Sequence, residues 1–294
     1  MIVVTTPTSS IGGEVLQGLL DREAQVRVIA RDPSRLPSHV QGRVDVVRGS
    51  HSDPDVVSQA FADADAVFWL VPPDYRTHSV EASYVDFTRP ACDALTSQRV
   101  ERVVGVSVLG RGSALADNAG LVTASLAMRD LIAKTGVGFR ALALPSFMNN
   151  LLGQVEAIRS QGAFFDVLSA DRKFPTVATR DIAAVAVELL LDDSWTGQDD
   201  VAVLGPEDLS CNDMARVMSE VLERPIRYQR IPGEAFKAGL LGNGMSEAMA
   251  QGLLDMRQAK DNGLDNVEAR TSRSTTPTSF RQWCEEVLKP AVLA

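Results

Sequence analysis

Two hydrophobic patterns alternate along the first half of the chain. Six short runs rich in valine and isoleucine precede residue 145, and such runs are typical of strands buried on both faces of a parallel sheet. The runs lie at 2–6, 25–30, 44–49, 66–71, 102–108 and 139–144. The segments between them carry apolar residues at helical spacing, and the first places Ile11, Val15 and Leu19 on one face. This alternation predicts an α/β fold with a doubly wound parallel sheet.

The regular alternation of predicted strands and helices ends at about residue 150. Amphipathic helices are predicted at 181–193, at 246–263 and at 276–290, with short strands between them. We therefore predict two parts: residues 1–150 form the sheet domain, and residues 151–294 form a smaller, mostly helical lobe with some elements that return to the sheet.

One predicted helix of this lobe carries a methionine-rich stripe. Met245, Met249, Leu253 and Met256 recur at helical spacing. Such a stripe favours a place in the core, although a flexible methionine surface would suit an apolar substrate.

Composition excludes several classes of protein. The 294 residues carry a net charge of −9, which argues against partners such as nucleic acid or an anionic membrane. Three cysteines lie far apart, no run approaches a membrane span, and no signal peptide is recognisable, so a cytoplasmic setting is expected. Three histidines leave little material for a metal site, and none is expected.

The stretch "VVTTPTSSIGGEV", residues 3–15, joins the first strand to the first helix. Dinucleotide-binding proteins keep a glycine-rich loop at this place, where a helix N-terminus receives the pyrophosphate. Gly12 fits the glycine that lets helix and strand pack closely, whereas Thr6 and Ser9 occupy the earlier glycine positions. Either hydroxyl contacts from Thr8, Ser9 and Ser10 replace close backbone approach, or this is an ordinary turn capped by Thr8 or Ser9.

The end of the second predicted strand bears on the choice of nucleotide. Arg31 lies nineteen positions after Gly12, where NAD-binding sites usually carry an acidic residue. An arginine there accommodates the 2′-phosphate of NADP, and Arg35 could close on the same phosphate. The pattern favours NADP(H) over NAD(H).

Several segments together resemble the NmrA-like family, the atypical relatives of the short-chain dehydrogenases and reductases. The resemblance covers nearly the whole chain. It rests on "TPTSSIG" (6–12), "VRVIARDPSRL" (26–36), "GSHSDPDVVSQAF" (49–61), "AVFWLVPP" (66–73), "RVVGVSVLG" (102–110), "PSFMNNLL" (145–152), "VATRDIAAVA" (177–186) and "LGPEDLS" (204–210).

This resemblance implies a Rossmann-like fold and an NADPH-type cofactor. With the arginines above, the expected cofactor-binding residues are Thr6, Pro7, Thr8, Ser9, Ser10, Ile11, Gly12, Arg31, Arg35, Leu70, Val71, Pro72, Ser107, Val108, Pro145 and Phe147.

The chain also departs from the family pattern. Ser9 replaces the usual second glycine, Ser50 stands where many relatives have aspartate, and Ser125 stands where many carry a lysine. None of the three tyrosines has a lysine four residues later. The usual acid for carbonyl reduction is therefore missing.

Three residues are candidates for catalysis. His78 follows the fourth predicted strand and could be a general acid, unless its loop is only a surface turn. Tyr84 could donate a proton or simply pack. Asn149, with Asn150, could orient a substrate carbonyl or cap a helix, while Phe147 and Met148 could form an apolar floor.

These observations favour an NADPH-binding oxidoreductase that transfers a hydride to a small, apolar, electron-poor acceptor such as a quinone or an enone. The alternatives are an NAD(P)-sensing regulator or scaffold without turnover, and a cofactor-free enzyme on a degenerate Rossmann fold. An apolar face on the C-terminal helices could support a homodimer.

Overall fold

A computed structural model describes residues 1–294 and contains one large parallel sheet. Seven strands hydrogen-bond in the order β10-β6-β5-β4-β1-β2-β3, and every neighbouring pair is parallel. Their bounds are β1 (Ile2–Val4), β2 (Val26–Ala30), β3 (Asp45–Arg48), β4 (Ala66–Trp69), β5 (Arg102–Val108), β6 (Gly138–Leu144) and β10 (Gln198–Ala202). The six predicted runs are all strands of this sheet, and the doubly wound fold is confirmed.

The order of the strands reverses beside β1. The chain winds outward from β1 to β2 and β3, then returns to β4 on the other side of β1. Both predicted strands end early here, because the Thr5 hydroxyl donates to the Phe68 carbonyl (3.0 Å) and accepts from the Leu70 N–H (3.0 Å). The crevice at the carboxyl ends of β1 and β4 is where open α/β sheets bind ligands.

Helices cover both faces of the sheet, as continuous apolar strands require. The helices of the first half are α1 (Ser10–Asp21), α2 (Pro54–Phe61), α3 (Phe87–Ser97) and α4 (Leu121–Ala133), and a π-helical turn (Ala82–Asp86) precedes α3. Polar residues define where two of them begin: Ser9 caps α1, and Asp53 before Pro54 caps α2. Fully buried Leu16 and Phe61 represent the two cores, one on each face.

The second half of the chain adds to the sheet and builds a lobe of its own. Strand β10 lies beside β6, and α6 (Thr179–Leu191) packs on α1. The other elements are β7 (Ser146–Phe147), α5 (Val155–Gln161), β8 (Ala163–Asp166), β9 (Phe174–Val177), β11 (Asp208–Leu209), α7 (Cys211–Leu222), β12 (Arg227–Arg230), α8 (Gly233–Gly242), α9 (Glu247–Asp261), α10 (Phe280–Trp283) and α11 (Lys289–Leu293). A separate core under α7 and α10 buries Met218, Phe280 and Trp283.

No helix of the structure is both long enough and apolar enough to span a bilayer. Large exposed apolar side chains are few, and Leu241 is the only one on α8 or α9. A homodimer through these helices stays a prediction.

Candidate active site

A cleft of about 790 Å³ runs along the carboxyl edge of the sheet, beneath helices α8 and α9. One side, which we call the sheet wall, comes from strand ends and the loops that follow them. The sheet wall comprises Ser9, Ser10, Ile11, Leu70, Val71, Pro72, Pro73, Val106, Ser107, Val108, Pro145, Ser146, Phe147, Asn149 and Asn150. The opposite side, the helix wall, comprises Phe236, Leu240, Met245, Leu253, Met256, Arg257 and Lys260. Tyr75, Tyr84, Leu121, Ser125, Met128, Gly153 and Thr179 complete the lining.

The loop before α1 has the geometry of a dinucleotide loop although it lacks the early glycines. Thr6 has φ +52°, a left-handed conformation that glycine usually supplies. A Cβ on Gly12 would lie 2.2 Å from the Thr6 carbonyl oxygen, so only glycine fits there. Gly12 therefore has the helix-packing role that the sequence predicts.

Ser9 is used inside the loop. Its hydroxyl accepts from the Gly12 N–H (3.1 Å) and donates to the Thr6 carbonyl (2.9 Å), so Ser9 is the N-cap of α1. Of the two roles weighed for this hydroxyl, the structure shows capping. The Ser9 hydroxyl thus holds the turn in shape rather than standing free in the cleft.

The first turn of α1 offers free donors to an anion. The Ser10 and Ile11 N–H groups have no backbone acceptor, and the turn contains no acidic residue. Both residues line the cleft. Unpaired N–H groups and the positive end of the helix dipole favour a phosphate at this point.

Three exposed arginines gather where β2 and β3 end. Arg31 directly follows β2, Arg35 ends the short turn after it, and Arg48 ends β3. None of the three forms an ion pair within the chain. Hydrogen bonds from the Ser34 hydroxyl and N–H lower the pKa of Asp32, and Arg35 and Arg48 add to that effect. Sequence reasoning missed Arg48, although adjacent parallel strands bring their carboxyl ends together.

The segment after β3 is held by a buried histidine. The Ser50 hydroxyl pairs with that of Ser52 (2.9 Å) and so shapes the turn before α2. His51 donates from Nε2 to the Leu70 carbonyl (3.1 Å), and its ring packs edge-on to Trp69 and Phe87. Burial lowers the pKa of His51 to about 4, so the ring is neutral at physiological pH. Sequence reasoning did not identify His51 as the support for this part of the sheet wall.

The middle of the sheet wall is mostly apolar and contains one buried hydroxyl without a partner. Leu70, Val71, Pro72, Val108, Pro145 and Phe147 line it, as do the serines at 107 and 146. The Ser107 Oγ is buried and has no hydrogen-bond partner within the chain. Because buried polar groups nearly always find a partner, this hydroxyl is available to a polar group of a bound molecule.

The three catalytic candidates are separated by the fold. Tyr84 and Asn149 line the cleft, whereas His78 is exposed and lies outside it. The amide oxygen of Asn149 accepts from the Thr179 N–H (3.4 Å). Tyr84 lies within the π-helical turn before α3, and burial, with a contribution from Tyr75, raises the pKa of its phenol. Insertions of this kind in helices are frequent at functional sites.

The methionine-rich stripe divides between core and cleft. Met249 is fully buried, as the core interpretation predicts, but Met245, Leu253 and Met256 line the cleft. For these three the structure favours the alternative of a surface for an apolar substrate: Leu253 and Met256 belong to α9, and Met245 lies in the turn before it. Sequence reasoning also missed Phe236, Leu240 and Arg257, whose spacing is that of any amphipathic helix.

Two family sequence models match this chain. One, described as NAD(P)H-binding, matches residues 8–193, and the other, of the NmrA-like family, matches residues 131–284. This protein belongs to the NmrA-like family. The resemblance stated from the sequence is confirmed, and so is an NAD(P)-type cofactor.

Known relatives of this NmrA-like protein include two reductases. The (4-alkanoyl-5-oxo-2,5-dihydrofuran-3-yl)methyl phosphate reductase of Streptomyces griseus is 30% identical, with 97% of each chain covered. The NAD(P)H azoreductase of Xenophilus azovorans is 27% identical over 87% of this chain and 86% of its own. These relatives support membership of the oxidoreductase class.

A solved structure of similar fold contains the nucleotide. Triphenylmethane reductase of Citrobacter sp., crystallised with NADP(H), superposes with a TM-score of 0.80 at 18% identity, covering 99% of this chain and 100% of its own. In the NmrA-like protein, the free N–H groups of α1, the unpaired Ser107 hydroxyl and the free arginines all fit such a cofactor.

Proposed function

We propose that this protein is an NADPH-dependent reductase that transfers a hydride to a small, apolar, electron-poor acceptor of the quinone or enone type. One observation carries the proposal. A single cleft joins the free N–H groups at the start of α1 to an apolar helix wall, and no Asp, Glu, His or Cys lines it. An acceptor that needs strong acid catalysis is therefore a poor match, whereas a conjugated acceptor is a good one.

The residues of the sheet wall would hold NADPH, which supplies the hydride when it is bound. The Ser10 and Ile11 N–H groups would bind the pyrophosphate, and Arg31 and Arg35, with Arg48, would bind the 2′-phosphate. Leu70 to Pro72 and Ser107 to Val108 would line the path of the nucleotide, and Pro145 and Phe147 would lie beside the nicotinamide.

The helix wall would select the acceptor. Phe236, Met245 and Met256 present apolar and polarisable groups to the cleft. Such a surface excludes water from the reacting centre and accepts flat rings of varied outline. Asn149 and the Tyr84 hydroxyl are among the neutral polar groups that could orient an acceptor oxygen.

The substrate of the Streptomyces relative has the same electronic character. Its name describes a 5-oxo-2,5-dihydrofuran with an alkanoyl group at carbon 4, that is, a ring double bond next to two carbonyl groups. Such a double bond accepts a hydride at carbon. This supports an enone-like acceptor for the present protein.

The test is calorimetric binding of NADPH and NADH to the wild type, to Arg31→Ala and to a control, Arg89→Ala. Arg89 is an exposed arginine of α3 that pairs with Asp86, the last residue of the preceding π-helical turn. We expect NADPH to bind tightly and to lose about tenfold in affinity in Arg31→Ala, with NADH and the control unchanged.

Oxidation of NADPH is then followed with a panel of quinones, enones and simple ketones. We expect turnover with the first two groups and little with the ketones. Tight NADPH binding with no turnover on any acceptor would reject the reductase and favour a sensor. Failure to bind either NADPH or NADH would reject both the reductase and the sensor.

A further inference from the structure

One charged side chain of the helix wall lacks the partners that burial normally demands. Arg257 lies on α9 and lines the cleft, and only 18% of its side chain is exposed. Its nearest opposite charge is Asp166, with Nη2 and Oδ2 3.4 Å apart. The guanidinium makes no hydrogen bond within the chain, and its Nε is fully buried. A guanidinium has five N–H donors, and buried donors are almost always satisfied.

The neighbouring cation of the same helix shows the contrast. Lys260 also lines the cleft, but its ammonium lies 2.5 Å from the carboxylate of Asp265, and both side chains are buried. The charge of Lys260 is therefore satisfied inside the protein. Arg257 has only a long ion pair with one oxygen of Asp166, whose other oxygen accepts from the Val167 N–H (2.7 Å).

The surroundings of Arg257 suit a molecule with one anionic end. Arg257, Phe147 and Asn150 line both the cleft and a smaller cavity beside it, so Arg257 lies where the two adjoin. No carboxylate lines the cleft itself, and the only one at the smaller cavity is Asp166. An anion in the cleft would meet the Arg257 guanidinium and the Asn150 amide, with apolar side chains around the rest of the molecule.

We infer that the acceptor carries an anionic oxygen group, a carboxylate or a phosphate ester, and that Arg257 binds it. The planar fork of a guanidinium matches two oxygens of either group. Asp166 orients the fork and competes weakly with the ligand for it. The inference rests on the proposed function, since it defines the class of acceptor that the helix wall selects.

The test compares three 1,4-naphthoquinones that differ only in the end group of one ring substituent. The substituent ends in a propanoate, in the methyl ester of that propanoate, or in a phosphate ester. Each is assayed with wild type, Arg257→Met, Arg257→Lys and Asp166→Asn, and with the exposed α7 control Arg216→Met. Comparing each variant with the wild type on the same acceptor cancels differences in intrinsic reactivity.

We expect Arg257→Met to lower kcat/KM for the anionic acceptors by about ten- to a hundredfold, and to leave the methyl ester within about twofold. Arg257→Lys should retain part of the preference because the charge remains and the fork is lost. Asp166→Asn should bind the anions as well as wild type or better. The ratio of propanoate to phosphate in the wild type identifies which group the site prefers.

Equal losses for ester and acid in Arg257→Met would overturn the inference, as would weaker NADPH binding, because Arg257 would then serve the cofactor. If Arg257→Met does not fold, the double variant Asp166→Asn/Arg257→Met is used instead, because it also removes the carboxylate that would be left without a cation. Calorimetry of the propanoate acceptor on the NADP⁺ complex separates the two proposals. Binding that depends on Arg257, without turnover, keeps the anion site and rejects the reductase. Turnover that is equal for the anionic acceptors and the methyl ester keeps the reductase and rejects the anion site.

Discussion

The two walls of the cleft are built from different parts of the polypeptide. The sheet wall depends on backbone geometry: strand ends, the left-handed Thr6 and the free N–H groups of α1. The helix wall depends on side chains of α8 and α9, such as Met256 and Arg257. Backbone sites suit a nucleotide whose phosphates are constant, whereas side-chain surfaces can change their selectivity without changing the fold.

The largest effect on cofactor binding is expected at Gly12, where the backbone of α1 lies against the backbone of the preceding loop. In Gly12→Ala the new Cβ would lie 2.2 Å from the Thr6 carbonyl oxygen, so α1 must move away from the loop. We expect NADPH affinity to fall by at least about a hundredfold and stability by about 3 kcal/mol. Calorimetry and urea denaturation measure the two quantities.

Gly13→Ala is the matched control for Gly12→Ala. Its Cβ would lie 3.3 Å from the Pro7 carbonyl oxygen, a contact that a small shift relieves. If both variants bind NADPH like wild type, the sheet wall does not depend on the close approach of α1 to the loop.

The methionine-rich stripe tests the helix wall. Met249→Ala should cost about 2–5 kcal/mol of stability, because the side chain is fully buried. Met256→Ala should cost much less stability and instead raise KM for apolar acceptors several-fold, with NADPH affinity unchanged. Denaturation curves and steady-state kinetics on both variants measure the difference. Similar profiles for the two would remove the distinction between core and cleft along α9.

The support of the sheet wall by His51 is expected to depend on pH. The unfolded chain takes up a proton near pH 6.5, but the folded His51 takes it up only near pH 4. Stability from the neutral ring is therefore complete above pH 6.5 and is lost as the pH falls to 4, by up to about 3 kcal/mol.

The measurement is the free energy of unfolding of wild type and His51→Gln at several pH values between 7 and 4. The wild type should lose more stability over this interval than the variant, because glutamine does not titrate. Parallel pH profiles would mean that folding does not lower the pKa of His51.

The smallest effect concerns a single hydroxyl between the two walls. Tyr84→Phe should lower kcat by about tenfold if the phenol donates a hydrogen bond to the acceptor. Because burial raises its pKa, the phenol stays protonated and the wild-type rate should not fall with pH up to about 10. A pH–rate profile of both proteins measures this. Unchanged kcat in Tyr84→Phe would leave Tyr84 a packing residue.

Much of the sheet wall could be predicted from the sequence. Gly12 and Arg31, which lie outside the lining of the cleft, follow from local spacing. Leu70 and Ser107, which line it, were implied by the resemblance to the family. The helix wall could not be predicted in this way. Met249 and Met256 lie on one amphipathic helix, and their spacing does not reveal that one is core and the other faces a cleft.

The sequence by itself determined the alternation of strands and helices, the doubly wound sheet and the family. The periodicity of apolar residues is a local property, and the loop before α1 is short enough for sterics alone to restrict it. Only the tertiary structure decided that Arg257 and Phe147, more than a hundred residues apart, line one cleft, and that His78 lies outside it. Such neighbours depend on how helices α8 and α9 close over the sheet, which no local pattern encodes.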